Sequence, residues 1–148
     1  MYRAMTLAKY VVDKCTDEGC PITNLQLQKI LYFIQLNFIK ILNIAAFNDD
    51  MEAWQHGPVI PEVYDEYSYC AGTPIYETYN GIENEIHVGI EKDIIDIVTE
   101  LARNKNPWDL VRTSHEPGTP WAKVYHGIKT KIPMEYIYNY ARSLNNAG

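Results

Sequence analysis

A long apolar segment with a well-marked beginning constrains the fold of this chain more than any other feature. Thr23 is suited to cap a helix, and Gln26 stands three residues later, which completes the capping-box pattern. Ile22 and Leu27 occupy the two positions of a hydrophobic staple around this cap. Apolar side chains then occur on most sides of the helix that follows. A helix of this kind packs near the centre of a globular protein, so we expect a central helix over residues 24–42.

This helix does not have the composition of a membrane span. Four polar residues interrupt it, namely Lys29, Gln35, Asn37 and Lys40. No other run in the chain approaches the roughly 18–20 apolar residues that a spanning helix needs. The basic N-terminus is not followed by the apolar stretch and cleavage site of a signal peptide. We therefore expect no membrane contact.

The cysteines and histidines do not form a metal-binding pattern. Cys15, Cys20 and Cys70 are odd in number, and their spacing is unlike that of zinc sites. The four histidines show no His-x-x-x-His spacing. Three unpaired thiols are typical of a reducing compartment, so we expect a cytoplasmic protein without a metal or other cofactor.

Several further helices are predicted by periodicity and by proline placement. A stripe of apolar residues from Ala4 to Val12 predicts a first helix, and another from Ile94 to Ala102 predicts a later one. Prolines that suit the first turn of a helix open three more segments. These segments are Pro107–Thr113, Thr119–Gly127 and Pro133–Asn145.

The middle of the chain is less regular. The alternation in Met51–Gln55 predicts a short strand, and Gly57 with Pro58 predicts a turn before a helix that opens at Pro61. That helix would carry Val63, Tyr64, Tyr67 and Ala71 on one side. Asn80-Gly81 favours a two-residue hairpin between Ile75–Tyr79 and Ile82–Val88.

Together these patterns predict one mainly α domain over residues 1–148. We expect a bundle of about six or seven helices around the central helix at residues 24–42, with a small antiparallel β element. No internal repeat, linker or low-complexity tract divides the chain.

Charge is distributed unevenly. Residues 41–102 contain thirteen acidic residues and one base, Lys92, a balance of −12, although the whole chain carries only −6. An acidic surface attracts a basic partner and repels nucleic acid. The alternative is a solvated acidic face that keeps the protein soluble.

Signatures of catalysis and of nucleic-acid binding are weak. The sequence has no glycine-rich phosphate loop, Gly-x-Ser-x-Gly elbow or His-Glu-x-x-His helix. Glu62, Asp65 and Glu66 share a helix face, for which a solvated stripe is favoured over a metal site. The first two helices have lengths compatible with a helix-turn-helix, but the second offers only Lys29 and Lys40 to DNA. We therefore expect neither an enzyme nor a nucleic-acid-binding protein.

Aromatic residues favour a binding function. Twelve tyrosines and three tryptophans exceed the need of an ordinary small core, and both residue types are enriched in protein interfaces. The clusters Tyr64/Tyr67/Tyr69 and Tyr136/Tyr138/Tyr140 cannot place every ring on one helix face. Some of these rings must therefore be partly exposed.

Three stretches resemble the Panacea antitoxin family, also described as SocA-like or as phage-associated GepA-like proteins. Ile22–Phe33 fits the pattern I-T-x-L-x-L-Q-K-L-L-Y-F, and Ala53–Tyr64 fits A-W-x-x-G-P-V-x-P-x-V-Y. Thr113, His115, Pro120 and Trp121 resemble T-H-x-x-x-P-W, with Ser114 inserted and with four residues instead of three between His115 and Pro120. The stretches occur in the family's order, and the resemblance covers nearly the whole chain.

The resemblance implies a bacterial or prophage antitoxin that neutralises a co-encoded protein toxin by direct contact. One branch of the family acts as an adaptor that delivers its toxin to an ATP-dependent protease. A phage protein that inhibits a host effector is a further alternative. The acidic segment suits a basic toxin, since acidic complementarity speeds encounter.

The matched motifs supply the candidate binding residues, listed here: Trp54, His56, Gly57, Pro58, Tyr64, His115 and Trp121. Each has a structural alternative. Gly57 and Pro58 can shape a turn, the tryptophans can anchor the core, and His115 can be a hydrogen-bonded structural residue. An unrecognised enzyme site around His56, His115 and Cys70 is the alternative from a different class.

Overall fold

Helices dominate residues 1–146, which are the part of the chain that the computed structural model describes. The helices are α1 (Ala4–Asp17), α2 (Asn24–Leu42), α3 (Pro61–Glu66), α4 (Ile90–Arg103), α5 (Pro107–Ser114), α6 (Pro120–Val124) and α7 (Met134–Ser143). The strands are β1 (Glu52–Trp54), β2 (Gly57–Val59) and β3 (Thr130–Lys131). α2 packs against α1, α3, α4, α5 and α7. The mainly α fold around a central helix is confirmed.

The predicted beginning of α2 is also confirmed. The Thr23 hydroxyl accepts a hydrogen bond from the Gln26 backbone N–H at 3.2 Å, and the Gln26 side chain accepts one from the Thr23 N–H at 2.9 Å. Ile22 and Leu27, on either side of the cap, are both buried in the core. The capping box therefore fixes where the central helix starts and how the chain enters it.

Polar residues on α2 hold the loops around it. Gln35 is buried, donates to the Phe47 carbonyl at 2.8 Å and accepts from the Ala46 N–H at 2.7 Å. A buried polar group without a partner is costly, so these bonds tie the loop after α2 to the helix. The last turn of α2 is less covered than expected, because Ile41 is exposed together with Lys40. Within residues 1–146, no helix has the length and apolar character to cross a membrane.

The small sheet has the order β2-β1-β3, with both pairs antiparallel. The prediction that Gly57 and Pro58 form a turn is wrong, because both lie in β2. Trp54 pairs with Gly57, so the turn is formed by Gln55 and His56 between them. Pro58 is tolerated because β2 is an edge strand. Pro61 opens α3 as predicted.

The predicted hairpin around Asn80-Gly81 is wrong. Residues 82–85 form one turn of 3-10 helix, and neither flank is a strand. Other elements satisfy the backbone of this segment: the Ile75 N–H donates to the Ile22 carbonyl at 2.7 Å, and the Tyr79 N–H donates to the Asp13 carboxylate at 2.7 Å. These bonds leave no need for a partner strand.

Some helices end earlier than the sequence periodicity predicts. α3 ends at Glu66, and a separate 3-10 turn covers Ser68–Cys70, so Ala71 does not continue the helix. Ala71 adopts a φ of +51°, which a helix does not allow. α6 ends at Val124 because Tyr125 is extended, so the predicted segment to Gly127 was too long. α7 ends at Ser143 and a 3-10 turn follows it.

Candidate functional site

The turn between β1 and β2 lies at the centre of a concave aromatic patch. A cavity of about 340 Å³ opens here, and Trp54, His56, Tyr64 and Lys129 are among its lining residues. Trp108 from α5 packs beside it. We call the following set the aromatic surface: Trp54, Gln55, His56, Tyr64, Trp108 and Lys129.

The side chains of the aromatic surface contact one another in pairs. The rings of Trp54 and Tyr64 meet edge to face with centroids 4.9 Å apart, and His56 meets Trp108 in the same way at 5.3 Å. The Lys129 ammonium lies 3.7 Å from the Trp54 ring centre, a cation–π contact. Tyr64 is 36% exposed and Trp108 54% exposed. The patch is therefore a packed, mainly aromatic surface that water still reaches.

A buried lysine supports the turn from below. Lys29 of α2 has no exposed surface, and its ammonium donates to the Pro58 carbonyl at 2.9 Å. Gly57 makes this approach possible. A Cβ at position 57 would stand 2.6 Å from Lys29 Cε and from Ser114 Oγ, and the backbone there has a φ of +108°. Position 57 therefore requires glycine for both space and conformation.

Burial changes the ionisation of Lys29 and of His115, which both lie behind the turn. Loss of water around the Lys29 ammonium lowers its pKa to about 7. Burial also lowers the pKa of His115, and the nearby charges of Lys29 and His56 lower it further. His115 Nε2 is buried and has no hydrogen-bond partner among residues 1–146. The inner side of the site therefore favours neutral groups.

Trp121 joins α6 to the first strand. Its indole N–H donates to the Trp54 carbonyl at 2.6 Å. Its ring stacks on His115, with centroids 3.6 Å apart and an angle of 8° between the planes, and on Tyr125 at 4.8 Å. Trp121 thus fixes the backbone of Trp54, and the third sequence motif is structurally joined to the second.

Two buried amides of α2 fix the other edge of the site. Asn24 donates to the Tyr64 carbonyl at 3.1 Å, and Gln28 donates to the Asn24 side chain at 2.9 Å. The Ile60 N–H donates to the Gln28 oxygen, also at 2.9 Å. This chain of bonds holds the junction of β2 and α3, and with it the position of Tyr64.

The structure brings all seven candidate residues into one region but in two layers. His56 and Tyr64 are exposed, and Trp54 is partly exposed. Gly57 and Pro58 are buried under the turn, while His115 and Trp121 are half-buried and pack behind it. The outer layer can contact a partner, and the inner layer holds the outer layer in position. A binding role for any of the seven stays a prediction.

Sequence reasoning did not assign several residues of this region to the site, among them Lys29, Ser114, Trp108 and Lys129. Lys29 was noted only as a break in the apolar helix and as a cation for DNA, which its complete burial excludes. Ser114, Trp108 and Lys129 were not assigned to the site. A signal existed for Lys29, which lies within the first family motif, and for Ser114, which stands between two residues of the third. Trp108 and Lys129 lie near the turn only through packing between distant segments.

The acidic segment is partly neutralised within the fold. Four of its acids form ion pairs with cations, listed here with their distances: Asp50–Lys131 at 3.3 Å, Glu62–Arg3 at 3.6 Å, Asp96–Lys92 at 2.7 Å and Glu100–Lys14 at 3.3 Å. Asp65 and Glu66, which follow Tyr64 on α3, are exposed and have no ion pair among residues 1–146. The acidic charge available to a partner therefore includes α3, beside the aromatic surface.

The three residues of the alternative enzyme site lie on separate segments of the fold. Cys70 is a free, half-buried thiol in the 3-10 turn after α3. His56 lies in the β1–β2 turn, and His115 follows the last residue of α5. Within residues 1–146, no hydrogen bond joins Cys70 to either histidine.

Comparisons with known proteins agree with the motifs. The family model described as "Antitoxin SocA-like, Panacea domain" matches residues 27–122. Antitoxin SocA of Caulobacter vibrioides (strain NA1000 / CB15N) is 32% identical over 142 residues, which cover 88% of this chain and 74% of that protein. No solved structure gives a significant match to this chain. The matched region includes α2 from Leu27, the sheet turn and Trp121.

Proposed function

The chain belongs to the family of SocA-like antitoxins with a Panacea domain, and on this premise we propose that it neutralises a protein toxin by binding it directly. The aromatic surface is the proposed contact. The observation that carries the proposal is that Tyr64, His56 and Trp108 remain water-accessible although hydrogen bonds and packing hold the site in place. Large rigid rings lose little conformational freedom on binding, which is why they dominate interface energies.

In the proposed mechanism this protein covers the toxin by binding it, and no catalysis is involved. Lys29, Trp121 and the amides of α2 fix the turn before the partner arrives. A preorganised surface spends less free energy on ordering when the complex forms. Cys70→Ala is expected to leave toxin neutralisation unchanged, because Cys70 is not part of the aromatic surface, whereas an enzyme that uses this thiol would lose its activity.

The acidic residues of α3 favour a basic toxin. Asp65 and Glu66 stand next to Tyr64 in the sequence and are exposed. Reversal of both to lysine is expected to slow association with the toxin at low salt and to have less effect at high salt, since salt screens surface charge. The matched control reverses Glu83 and Glu85, two exposed acids of the turn that packs on α1. If both double variants behave like the wild type at low salt, the charge serves solubility alone.

Co-expression with the product of the adjacent gene tests the antitoxin role. The wild type is expected to restore growth that this product arrests, and a Tyr64→Ala/Trp108→Ala variant is expected to restore it poorly. Tyr136→Ala is the matched control, because Tyr136 on α7 is also 36% exposed but lies outside the aromatic surface. The proposal is wrong if the neighbour is harmless alone, or equally toxic when this protein is present.

Delivery to an ATP-dependent protease makes a different prediction from simple occlusion. Under occlusion the half-life of the toxin is unchanged or longer when this protein is present, because a bound chain unfolds less. Under delivery the half-life shortens and depends on the protease. Measuring toxin half-life in cells with and without the protease therefore separates the two mechanisms.

Inhibition of a host effector by a phage protein requires the effector, and not the product of a neighbouring gene, to bind the aromatic surface.

A further inference from the structure

A second exposed surface runs along α4, away from the Trp54 turn. Asp93, Ile97 and Leu101 are spaced four residues apart on α4, so they form one ridge of the helix. Lys105 follows two residues after the end of α4 and lines the same cavity as Ile97 and Leu101. Ile97 is 55% exposed and Leu101 63% exposed. Asp93 and Lys105 are exposed at the two ends, and neither forms an ion pair among residues 1–146. We call these four residues the α4 ridge.

A groove lies beside the α4 ridge. It is an apolar cavity of about 240 Å³ between α4, α2 and α5, and its walls include Phe33, Asn37, Val98, Ala102, Leu110 and Thr113. Ile97 and Leu101 stand at its edge. Ridge and groove are adjacent, as needed for a helix from another molecule to insert its own ridge.

We propose that the α4 ridge and its groove form an interface with a second copy of this chain. The order of the ridge is acid, apolar, apolar, base, which is complementary to itself when two copies run antiparallel. A twofold axis between Ile97 and Leu101 sets Asp93 of each copy opposite Lys105 of the other, and Ile97 opposite Leu101. Such an isologous interface uses every contact twice.

The geometry of helix packing agrees with this pairing. A ridge of residues spaced by four is inclined by about 26° to the helix axis, so two such ridges become parallel when the helices cross at about 50°. That crossing is the commonest one in globular proteins. Ile97 and Leu101 of each copy then enter the groove of the other.

Charge selects a second copy over an unrelated partner. An arbitrary acidic or basic partner would satisfy one end of the ridge and meet like charge at the other. Only a surface with the reversed order satisfies both ends, and the antiparallel copy of the ridge is such a surface. Because two exposed apolar residues per copy make a small interface, the expected dimer is weak and depends on concentration.

Charge reversal provides a test with an internal control. Asp93→Lys places a lysine opposite Lys105 of the other copy, and Lys105→Asp places an aspartate opposite Asp93. Each single variant therefore meets like charge at both ends of the interface and is expected to raise the dimer dissociation constant by about tenfold or more. An equimolar mixture of the two single variants removes this repulsion, because in the heterodimer both cations of one copy, at positions 93 and 105, face acids of the other.

The pairing in that mixture follows from the twofold arrangement. In a heterodimer of the two variants, the lysine introduced by Asp93→Lys faces the aspartate introduced by Lys105→Asp, which is an opposite-charge pair. The other end sets the unchanged Lys105 of one copy against the unchanged Asp93 of the other. The mixture is therefore expected to form a heterodimer about as strong as the wild-type dimer.

Sedimentation velocity of the full chain from micromolar to millimolar concentration measures these states. Leu101→Asp is expected to give monomers, whereas Ile128→Asp, at a residue 65% exposed in the loop before β3, is expected to dimerise like the wild type. A wild type that stays monomeric at millimolar concentration, or a mixture of single variants that stays monomeric, overturns the proposal. If the wild type is monomeric and binds the toxin, and Leu101→Asp does not bind it, the α4 ridge contacts the toxin and the dimer proposal is wrong. The dimer does not depend on the antitoxin proposal, since its test needs no toxin.

Discussion

Replacement of Gly57 by alanine tests how closely the sheet turn depends on the buried lysine beneath it. The new Cβ would stand 2.6 Å from Lys29 Cε and 2.6 Å from Ser114 Oγ. Atoms do not approach so closely, so at least one side chain must move. Lys29 has no exposed surface into which it can move, and any shift strains its bond to the Pro58 carbonyl.

The expected cost has two components. Holding alanine at a φ of +108° costs about 1–3 kcal/mol. Overpacking the contact with Lys29 and Ser114 adds about 1–3 kcal/mol. Gly57→Ala is therefore expected to lower the free energy of unfolding by about 2–6 kcal/mol, a large fraction of the stability of a domain of this size.

Gly89→Ala separates the two components. Gly89 has a similar φ of +117°, but no atom lies within 4 Å of a Cβ built there. Its substitution is expected to cost only the conformational part, about 1–3 kcal/mol. Urea unfolding of the wild type and both variants at neutral pH gives the comparison. If Gly57→Ala destabilises the protein no more than Gly89→Ala, the close packing of Lys29 under the turn is refuted.

Three further predictions concern the residues that support the site. Between pH 7 and about 10.4, Lys29 binds a proton in the unfolded chain but not in the folded chain. The free energy of unfolding of the wild type is therefore expected to rise with pH in this window. Urea unfolding at pH 7 and pH 9 is expected to show that Lys29→Met loses most of this rise. A parallel pH dependence in the two proteins would contradict a buried Lys29 with a lowered pKa. Trp121→Phe removes the 2.6 Å bond to the Trp54 carbonyl and is expected to cost about 1–2 kcal/mol in urea unfolding, while Trp108→Phe, at an exposed ring, is expected to change the midpoint little. Thr23→Ala removes the cap of α2 and is expected to cost about 1 kcal/mol; an unchanged urea midpoint would refute the capping role.

Local sequence patterns predicted the helices well because their determinants are local. The cap at Thr23, the apolar periodicity of α1 and α4, and the prolines at the first turns of α3, α5 and α6 all act within a few residues. The central position of α2 followed from its apolar circumference. These features agree with one another, so the fold class was predictable.

The errors come from tertiary contacts that local patterns do not contain. Asn80-Gly81 suits a hairpin, but the bond from Ile75 to the loop before α2 and the bond from Tyr79 to α1 satisfy that backbone instead. Lysine is expected at the surface, and only the Pro58 carbonyl, 29 residues away in sequence, explains why Lys29 is buried. Trp108 and Lys129 reach the site from distant segments. The motifs located the region of the site, and the fold was needed to separate its exposed layer from its support.

Binding of the purified chain to the purified product of the adjacent gene tests direct neutralisation through the aromatic surface most directly. Isothermal titration is expected to show a complex with the wild type and with Tyr136→Ala. Tyr64→Ala is expected to weaken the affinity by about tenfold or more, which corresponds to about 1.4 kcal/mol. Equal affinities of Tyr64→Ala and Tyr136→Ala would contradict the assignment of the surface, and the absence of any complex with the wild type would contradict direct binding.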